Sequence, residues 1–270
     1  MITNLRTLLN FNEGYNTINR EERNLAAIFY HTLLLGDNLR IFLDQVGCKS
    51  KIVNKEAAIY FEYAFIRDLW SNITQGNEFK RNVILDLLKP DNRKELEDKS
   101  ILEFNTHFGS VPKPSATEIQ SPGNWSISYY NNTIKENIEF LRTCEFKWCF
   151  NAKPDIVIHT SHNAAVCIEA KFLSREGLYP NNEKEKKIFS KRGIPMVRQL
   201  SIQKKIMEML DITTQFIFLV NHKSRSSKND NNVLELTWKD AFTNLDTTNC
   251  TYFIREWLKR PEINKTKGKD

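Results

Sequence analysis

The 270-residue sequence lacks the features that mark several large classes of protein. It has only nine glycines. Neither glycine-rich phosphate loop occurs (GxGxxG, or GxxxxGK followed by Ser or Thr), so no nucleotide cofactor is expected. There is no run of about 18 apolar residues, and a transmembrane helix is therefore not expected either. The N-terminus, MITNLRTLLNFNEG, lacks the charged-then-apolar pattern of a signal peptide.

Cysteines are few, and their pattern does not indicate a disulfide framework. Their number, five, is odd, no CxxC pair is present, and no Cys/His set has the spacing of a zinc site. Cys167 stands in an apolar stretch and is expected to be a buried free thiol. This pattern predicts a reducing, cytoplasmic environment.

The composition indicates a folded protein with a mild basic bias. Hydrophobic residues make up 40% of the chain and charged residues 27%, which is typical of a globular protein. The length allows one large α/β domain, or a core with a sizeable insertion. A net charge of +6 is compatible with a polyanionic partner but is too small to establish one.

Hydrophobic periodicity predicts that the first part of the chain is mainly helical. The predicted helices are 19–34, 36–47, 54–71 and 77–90. Residues 109–124 contain three prolines and two glycines and are predicted to form a loop. We therefore divide the chain into a mainly helical region over 1–125, with a recognition or dimerisation role, and a core with a C-terminal extension over 126–270.

The second part alternates between strand and helix patterns. The predicted elements are a helix over 132–144, a strand over 145–150, a hairpin over 153–172, a polar lysine-rich connection over 177–195, a helix over 196–211, a buried strand over 214–220, a strand over 233–238 and a helix over 250–260. Three consecutive strands are most simply antiparallel, and a helical crossover then allows the next strand to join in parallel. This predicts an α/β fold with a mixed sheet flanked by helices.

The hairpin KPDIVIHTSHNAAVCIEAKF carries charges at the ends of its apolar strands. Glu169 and Lys171 are two residues apart and point to the same side of a strand, and pairing across the turn brings Asp155 beside them. Neighbouring carboxylates repel each other unless a cation lies between them. Mg²⁺ suits such oxygen ligands, and the backbone carbonyl of Ala170 could be a further ligand. Lys171 can hold a water or neutralise charge on a phosphate.

These residues resemble the PD-(D/E)XK nuclease superfamily. The match is Pro154-Asp155, thirteen residues, and then Glu169-Ala170-Lys171, and together with the element order it covers roughly residues 132–220. The resemblance implies a restriction-endonuclease-like core and metal-dependent hydrolysis of phosphodiesters in DNA, less often in RNA. It also implies that Asp155 and Glu169 are metal ligands and that Lys171 is the catalytic lysine.

The resemblance suggests further site residues on two helices. Gln199 matches the polar residue that the family often places on the helix after the lysine. Gln203 stands where some exonuclease branches have a tyrosine, which argues against a processive exonuclease. The family also often has an acidic residue on its first core helix, and here the candidates are Glu22, Glu136 and Glu139. The E-x-x-L pattern favours Glu22, whereas closeness to the hairpin in sequence favours the other two.

A basic run follows the hairpin in EKEKKIFSKR. It is either a solvated surface or a set of phosphate contacts on either side of the cut, since it comes directly after the lysine strand. The candidate nucleic-acid-binding residues are Lys184, Lys186, Lys187, Lys191 and Arg192. His159 and His162, in the hairpin turn, are expected to be exposed to solvent.

Together these features predict a Mg²⁺-dependent DNA endonuclease of the restriction or anti-phage defence type. Mn²⁺ is expected to substitute for Mg²⁺, and no membrane partner is expected. Cutting both strands requires two active sites, which favours a homodimer. The alternatives are a structure-specific or repair nuclease, and a nucleic-acid-binding module that has lost activity. The intact Asp/Glu/Lys set argues against the last of these.

Overall fold

The three-dimensional structure is a computed structural model, and it describes residues 22–48, 58–110, 117–172, 176–221 and 233–259. The helices are α1 Glu22–Leu33, α2 Asn38–Gln45, α3 Phe65–Ser71, α4 Asn77–Leu88, α5 Arg93–Glu97, α6 Ile101–His107, α7 Ile127–Tyr130, α8 Asn137–Cys149, α9 Glu183–Arg192, α10 Gln199–Met209, α11 Trp238–Thr243 and α12 Tyr252–Leu258. The strands are β1 Ala58–Phe61, β2 Ile156–Ser161, β3 Ala164–Ala170, β4 Leu178–Tyr179, β5 Val197–Arg198, β6 Thr213–Val220 and β7 Val233–Thr237.

A mixed five-stranded sheet lies at the centre of the fold, with strand order β1-β2-β3-β6-β7. The strands β1, β2 and β3 are antiparallel, whereas β6 pairs in parallel with both β3 and β7. Between β3 and β6 the chain passes through α10, which confirms the predicted crossover to a buried strand. The protein therefore has an α/β fold with a mixed sheet flanked by helices.

The two faces of the sheet pack against different helices because strand side chains alternate. On one face, Ile168 packs in a cluster with Phe29 of α1 and Phe42 of α2. On the other face, Cys167 packs with Met207 of α10. Glu169 and Lys171 have the same parity as Cys167 and therefore belong to the α10 face.

A third apolar cluster joins the helices outside the sheet. It includes Phe104 of α6 and Phe146 of α8, so residues on both sides of position 125 share one core. The proposed division of the chain at that position stays a prediction. Within the described ranges, no helix has both the length and the apolar composition needed to cross a membrane.

Most of the long amphipathic helices were predicted correctly. Where the structure describes them, helices occupy the predicted segments 19–34, 36–47, 77–90, 196–211 and 250–260, and β7 occupies the predicted strand 233–238. Gly47 follows α2 in the left-handed region, with φ 68°. All five cysteines are free thiols and Cys167 is buried, as expected.

The predicted strand over 145–150 is wrong, because these residues continue α8 and its C-terminal cap. The alternation of Phe146, Trp148 and Phe150 imitates a strand in sequence. However, the intervening Cys149 is buried as well. A helix end that is packed on most sides has no polar face, so its sequence does not show the usual 3.6-residue alternation of apolar and polar residues.

The predicted single helix over 54–71 is also wrong in the part that the structure describes. Ala58–Phe61 forms strand β1 against β2, and α3 begins only at Phe65. Between them Glu62 has φ +50°, which ends the strand. Short apolar runs fit a strand or a buried helix equally well. Here the run forms a strand because it pairs with the open edge of β2.

The lysine-rich segment after the hairpin is a helix rather than a polar connection. Asn182 caps α9 by accepting a hydrogen bond from the backbone N–H of Lys184 at 2.8 Å, and Gly193 ends the helix with φ 65°. Phe189 is the fully buried apolar residue of this helix, and the partly buried Ile188 packs against the same core. The cap residues were readable in the sequence, but the low apolar content obscured the helix.

Candidate active site

Asp155 and Glu169 lie side by side at one end of the sheet. The antiparallel register pairs Ile156 with Ile168, which places the residue before β2 next to the last residues of β3. The Oδ2 atom of Asp155 accepts a hydrogen bond from the backbone N–H of Ala170 at 2.8 Å. The hairpin therefore brings its terminal charges together, as its strand pairing requires.

Glu169 is buried and strongly held. The residue is 3% exposed. The Oε1 atom accepts hydrogen bonds from Nζ of Lys171 at 2.6 Å and from Nε2 of Gln199 at 2.7 Å. The Oε2 atom accepts a short hydrogen bond from Nε2 of Gln203. A carboxylate that is removed from water needs such partners, and here they fix its orientation.

Glu22, at the start of α1, completes the cluster. Its Oε1 atom lies 3.2 Å from Nζ of Lys171, and its Oε2 atom accepts a hydrogen bond from the backbone N–H of Phe172 at 2.9 Å. Of the three acidic candidates from the sequence, Glu22 is the one that contacts the lysine. Glu136 instead precedes α8 as an exposed residue, and Glu139 lies in the first turn of that helix.

Burial and the mutual proximity of these charges shift their pKa values. Burial, and then the negative charge of Glu169, raise the pKa of Asp155 to about 7. Burial raises the pKa of Glu169 as well, although Lys171 and Gln203 oppose the shift. Burial alone would lower the pKa of Lys171, but Glu169, Glu22 and Asp155 outweigh it and raise that pKa. The site therefore holds a cationic lysine beside carboxylates that resist ionising together.

The free lone pairs of the two carboxylates suit a divalent cation. An ionised carboxylate has about four acceptor sites. Hydrogen bonds fill both sites on Oε1 of Glu169 but only one on Oε2, and Asp155 accepts a single hydrogen bond from the described residues. In the described ranges, no three His, Cys, Asp or Glu side chains lie close enough together to hold a metal ion between them. Mg²⁺ takes one or two carboxylates and completes its shell with waters and phosphates, so this pair fits it. The carbonyl of Ala170 stays a predicted ligand.

Gln203 is a site residue that the sequence did not assign. Gln199 and Gln203 are four residues apart on α10, so both amides face the sheet from successive turns. Gln203 is 1% exposed, and its Oε1 atom lies 4.0 Å from Sγ of Cys167. Oε1 of Gln199 accepts a hydrogen bond from the backbone N–H of Gly177 at 3.2 Å. The i, i+4 spacing beside a predicted carboxylate was the signal that could have identified the pair.

The basic run divides into two groups on α9. Lys184, Lys187 and Lys191 are exposed, and their spacing puts them on one face, opposite the buried Phe189. Lys186 instead forms an ion pair at 2.6 Å with Glu183, three residues earlier on the same helix. The structure thus arranges three of the five predicted phosphate contacts in one row.

Arg192 has a structural role. Its guanidinium donates five hydrogen bonds, two of them to carbonyls at 2.7 Å, and lies 4.0 Å from the ring centroid of Phe140. All five donors of an arginine are thereby used. Its acceptors are Asn131, Ile134, Lys135 and Asn137. Arg192 therefore links α9 to the segment before α8, and no donor is left for a phosphate.

The two histidines of the hairpin behave differently. His162 is exposed, as predicted. His159 is only partly exposed, so the prediction that it is exposed to solvent was wrong. Its Nε2 atom lies 2.9 Å from the hydroxyl of Tyr63, and burial lowers its pKa. The reason is β1, whose addition to the sheet brings Tyr63 over the hairpin.

Comparisons of the chain with known protein families, with curated proteins and with solved structures find no match.

Proposed function

We propose that the protein is a Mg²⁺-dependent DNA endonuclease of the restriction or anti-phage defence type, with a restriction-endonuclease-like core of the PD-(D/E)XK superfamily. One observation carries the proposal: the buried Glu169 holds Lys171 at 2.6 Å beside Asp155, whose pKa is raised to about 7. Burying charges costs stability, and buried groups with shifted pKa values concentrate at functional sites.

The chain's own groups have separable roles in this reaction. Asp155 and Glu169 would hold Mg²⁺ through their free lone pairs, together with the carbonyl of Ala170. When bound, Mg²⁺ supplies Lewis-acid stabilisation and lowers the pKa of a bound water. Lys171 keeps its proton beside Glu169 and Glu22, and it stabilises the negative charge that develops on the phosphate.

The remaining polar groups position these residues. Glu22 holds the ammonium of Lys171 with one oxygen and the backbone N–H of Phe172 with the other, which fixes the lysine relative to the strand. Gln199 and Gln203 donate to opposite oxygens of Glu169. Preorganised groups of this kind avoid reorganisation during the reaction.

The exposed row on α9 is the proposed surface for DNA phosphates. The side chains of Lys184, Lys187 and Lys191 make no hydrogen bond to the part of the chain that the structure describes, whereas all donors of Arg192 are occupied, so we leave Arg192 out of the set. Along the chain, α9 comes between β4 and β5, and β5 is followed directly by Gln199 at the start of α10. This connection links the row to the site. A homodimer would supply the second site that double-strand cutting requires.

Nuclease assays of point variants test the proposal. Plasmid, linear and single-stranded DNA would be incubated with Mg²⁺, Mn²⁺ or a chelator. We expect Lys171→Ala and Glu169→Ala to abolish cleavage of a substrate that the wild type cuts with Mg²⁺. Lys205→Ala is the matched control, since Lys205 is a partly buried lysine that pairs with Glu145 at 2.6 Å. This variant should cut normally.

Thermal unfolding of the same variants separates a chemical role from a structural one. Loss of cleavage with an unfolding transition like that of the wild type supports the site. Cleavage that survives in the Lys171 or Glu169 variant contradicts the assignment. If the wild type cuts none of the three substrates with either metal, the nuclease proposal itself is wrong.

A further inference from the structure

Three charged side chains form a second cluster, consisting of Arg23, Glu62 and Lys153. The Nε atom of Arg23 lies 2.9 Å from Oε1 of Glu62, and Nζ of Lys153 lies 3.1 Å from Oε2 of the same residue. One carboxylate therefore bridges two cations. The cluster keeps a net charge of about +1, which an anion could neutralise.

The chain connects this cluster to the candidate active site at three points. Arg23 follows Glu22, which holds Lys171. Lys153 comes two residues before Asp155. The backbone N–H of Glu62 donates to the carbonyl oxygen of Asp155 at 2.8 Å. The two cations thus border the carboxylates proposed to carry out the chemistry.

The donors of the two cations are largely available to a ligand. The side chain of Arg23 is 73% exposed and that of Lys153 is 40% exposed. The contact of Arg23 with Glu62 is through Nε, and a guanidinium has five N–H donors in all. The ammonium of Lys153 has three N–H groups, and Glu62 accepts one of them.

Stability does not account for the arrangement. Exposed ion pairs contribute little, typically under about 1 kcal/mol. In addition, Glu62 has φ +50°, a conformation that is uncommon for residues other than glycine and costs free energy. Unfavourable backbone geometry of this kind concentrates at functional sites, where surrounding contacts hold it. Here it places one carboxylate between Arg23 and Lys153.

We propose that Arg23 and Lys153 contact phosphates of the DNA strand beside the bond that is cut, and that Glu62 orients both cations before DNA binds. The inference rests on the proposed nuclease function, because it concerns the border of that site. A guanidinium matches the geometry of a phosphate with two parallel hydrogen bonds, and an ammonium adds a point charge. These contacts would position the strand without reading its sequence.

Binding measured in a chelator tests the proposal without cleavage. The affinity of a short fluorescent DNA duplex would be measured across a NaCl series for the wild type and for the double variant Arg23→Gln/Lys153→Gln. Each phosphate contact contributes about 0.9 to the slope of log affinity against log salt. We therefore expect the slope of the double variant to be shallower by about 1.8.

The matched control removes two cations elsewhere on the surface. Arg40 pairs with Asp37 at 2.9 Å, and Lys99 pairs with Glu95 at 2.6 Å. The variant Arg40→Gln/Lys99→Gln therefore has the same net charge as the test variant, and its slope should stay close to that of the wild type. Glu62→Gln is a second test variant. It removes a negative charge beside both cations, and at low salt we expect this electrostatic gain to outweigh the loss of orientation, so that the variant binds the duplex more tightly.

The outcomes separate this inference from the nuclease proposal. A shallower slope in an otherwise folded double variant supports the phosphate contacts even if the wild type cuts no DNA. Normal cleavage by the wild type, combined with equal slopes for the test and control variants, overturns the contacts and leaves the nuclease proposal in place. The contacts are also overturned if the wild type does not bind the duplex at any salt concentration, or if Glu62→Gln binds no more tightly than the wild type.

Discussion

Replacing Asp155 by asparagine should stabilise the metal-free protein near neutral pH. In the folded chain the pKa of this carboxyl is raised from 3.8 to about 7. The folded state therefore keeps a proton that the unfolded chain releases at lower pH. The folded state binds more protons than the unfolded state between these two pKa values. The stability that the protonated Asp155 carboxyl contributes is therefore fully present below the unfolded pKa and is lost as the pH rises through about 7.

The structure sets an upper limit on this effect. A difference between 3.8 and about 7 corresponds to about 4 kcal/mol, at about 1.36 kcal/mol for each pKa unit. Asparagine has no charge to desolvate, and its carbonyl oxygen can still accept the hydrogen bond from the backbone N–H of Ala170. Asp155→Asn should therefore be more stable than the wild type by up to about 4 kcal/mol near pH 8, with the difference close to zero near pH 4.

Urea unfolding in a chelator, from about pH 4 to pH 8, measures this difference. The control is Asp98→Asn, an exposed residue at the end of α5, which should change stability by less than about 0.5 kcal/mol. Equal stabilisation of the Asp155 variant at both ends of the pH range, or none at pH 8, would refute the electrostatic argument.

Adding Mg²⁺ should narrow this difference in stability. A cation that binds only the folded state stabilises it by about 2.7 kcal/mol at one hundred times its dissociation constant. The wild type should gain this stability near pH 8, whereas Asp155→Asn has lost one of the two carboxylates and should gain less. Calcium should also stabilise the wild type but support little or no cleavage. An equal gain in both proteins would place the cation elsewhere.

The remaining predictions concern α9. Arg192→Ala should lower the free energy of unfolding by about 2 to 3 kcal/mol, since it removes five charge-assisted hydrogen bonds. Lys191→Ala, on the same helix, is the control and should have little effect; equal losses would contradict the structural role of Arg192. Neutralising Lys184, Lys187 and Lys191 together should make the slope of log affinity against log salt shallower by about 0.9 for each contact. Cleavage at saturating DNA should survive. An unchanged slope would show that the row is only a solvated face.

Local patterns were sufficient to predict the hairpin and the convergence of its charges. The alternation of apolar residues on both sides of a polar turn determines the strands, and antiparallel pairing then places Asp155 beside Glu169. The crossover helix and the buried strand after it were readable for the same reason. Their periodicity of about 3.6 residues, followed by a continuous apolar run, is local information.

Tertiary packing decided the elements that lacked a distinctive local pattern. Residues 145–149 are helical, with Phe150 as the cap, because the core surrounds the end of α8. Ala58–Phe61 is a strand because β2 offers an open edge. Neither environment can be read from a short window of sequence. Helix α9 is an intermediate case: its cap residues were visible in the sequence, but its two adjacent apolar residues, Ile188 and Phe189, gave little periodicity.

The composition of the site also depended on tertiary structure. Glu22 reaches Lys171 across 149 positions of the chain, and the sequence alone favoured Glu22 only slightly over Glu136 and Glu139. The sequence could supply the types of residue that a metal-dependent hydrolase needs, because those follow from chemistry. The packing of α1 and α10 against opposite faces of one sheet determined which glutamate and which glutamines surround the lysine and its partner carboxylate. Distances between remote residues follow from that packing and not from their spacing in the chain.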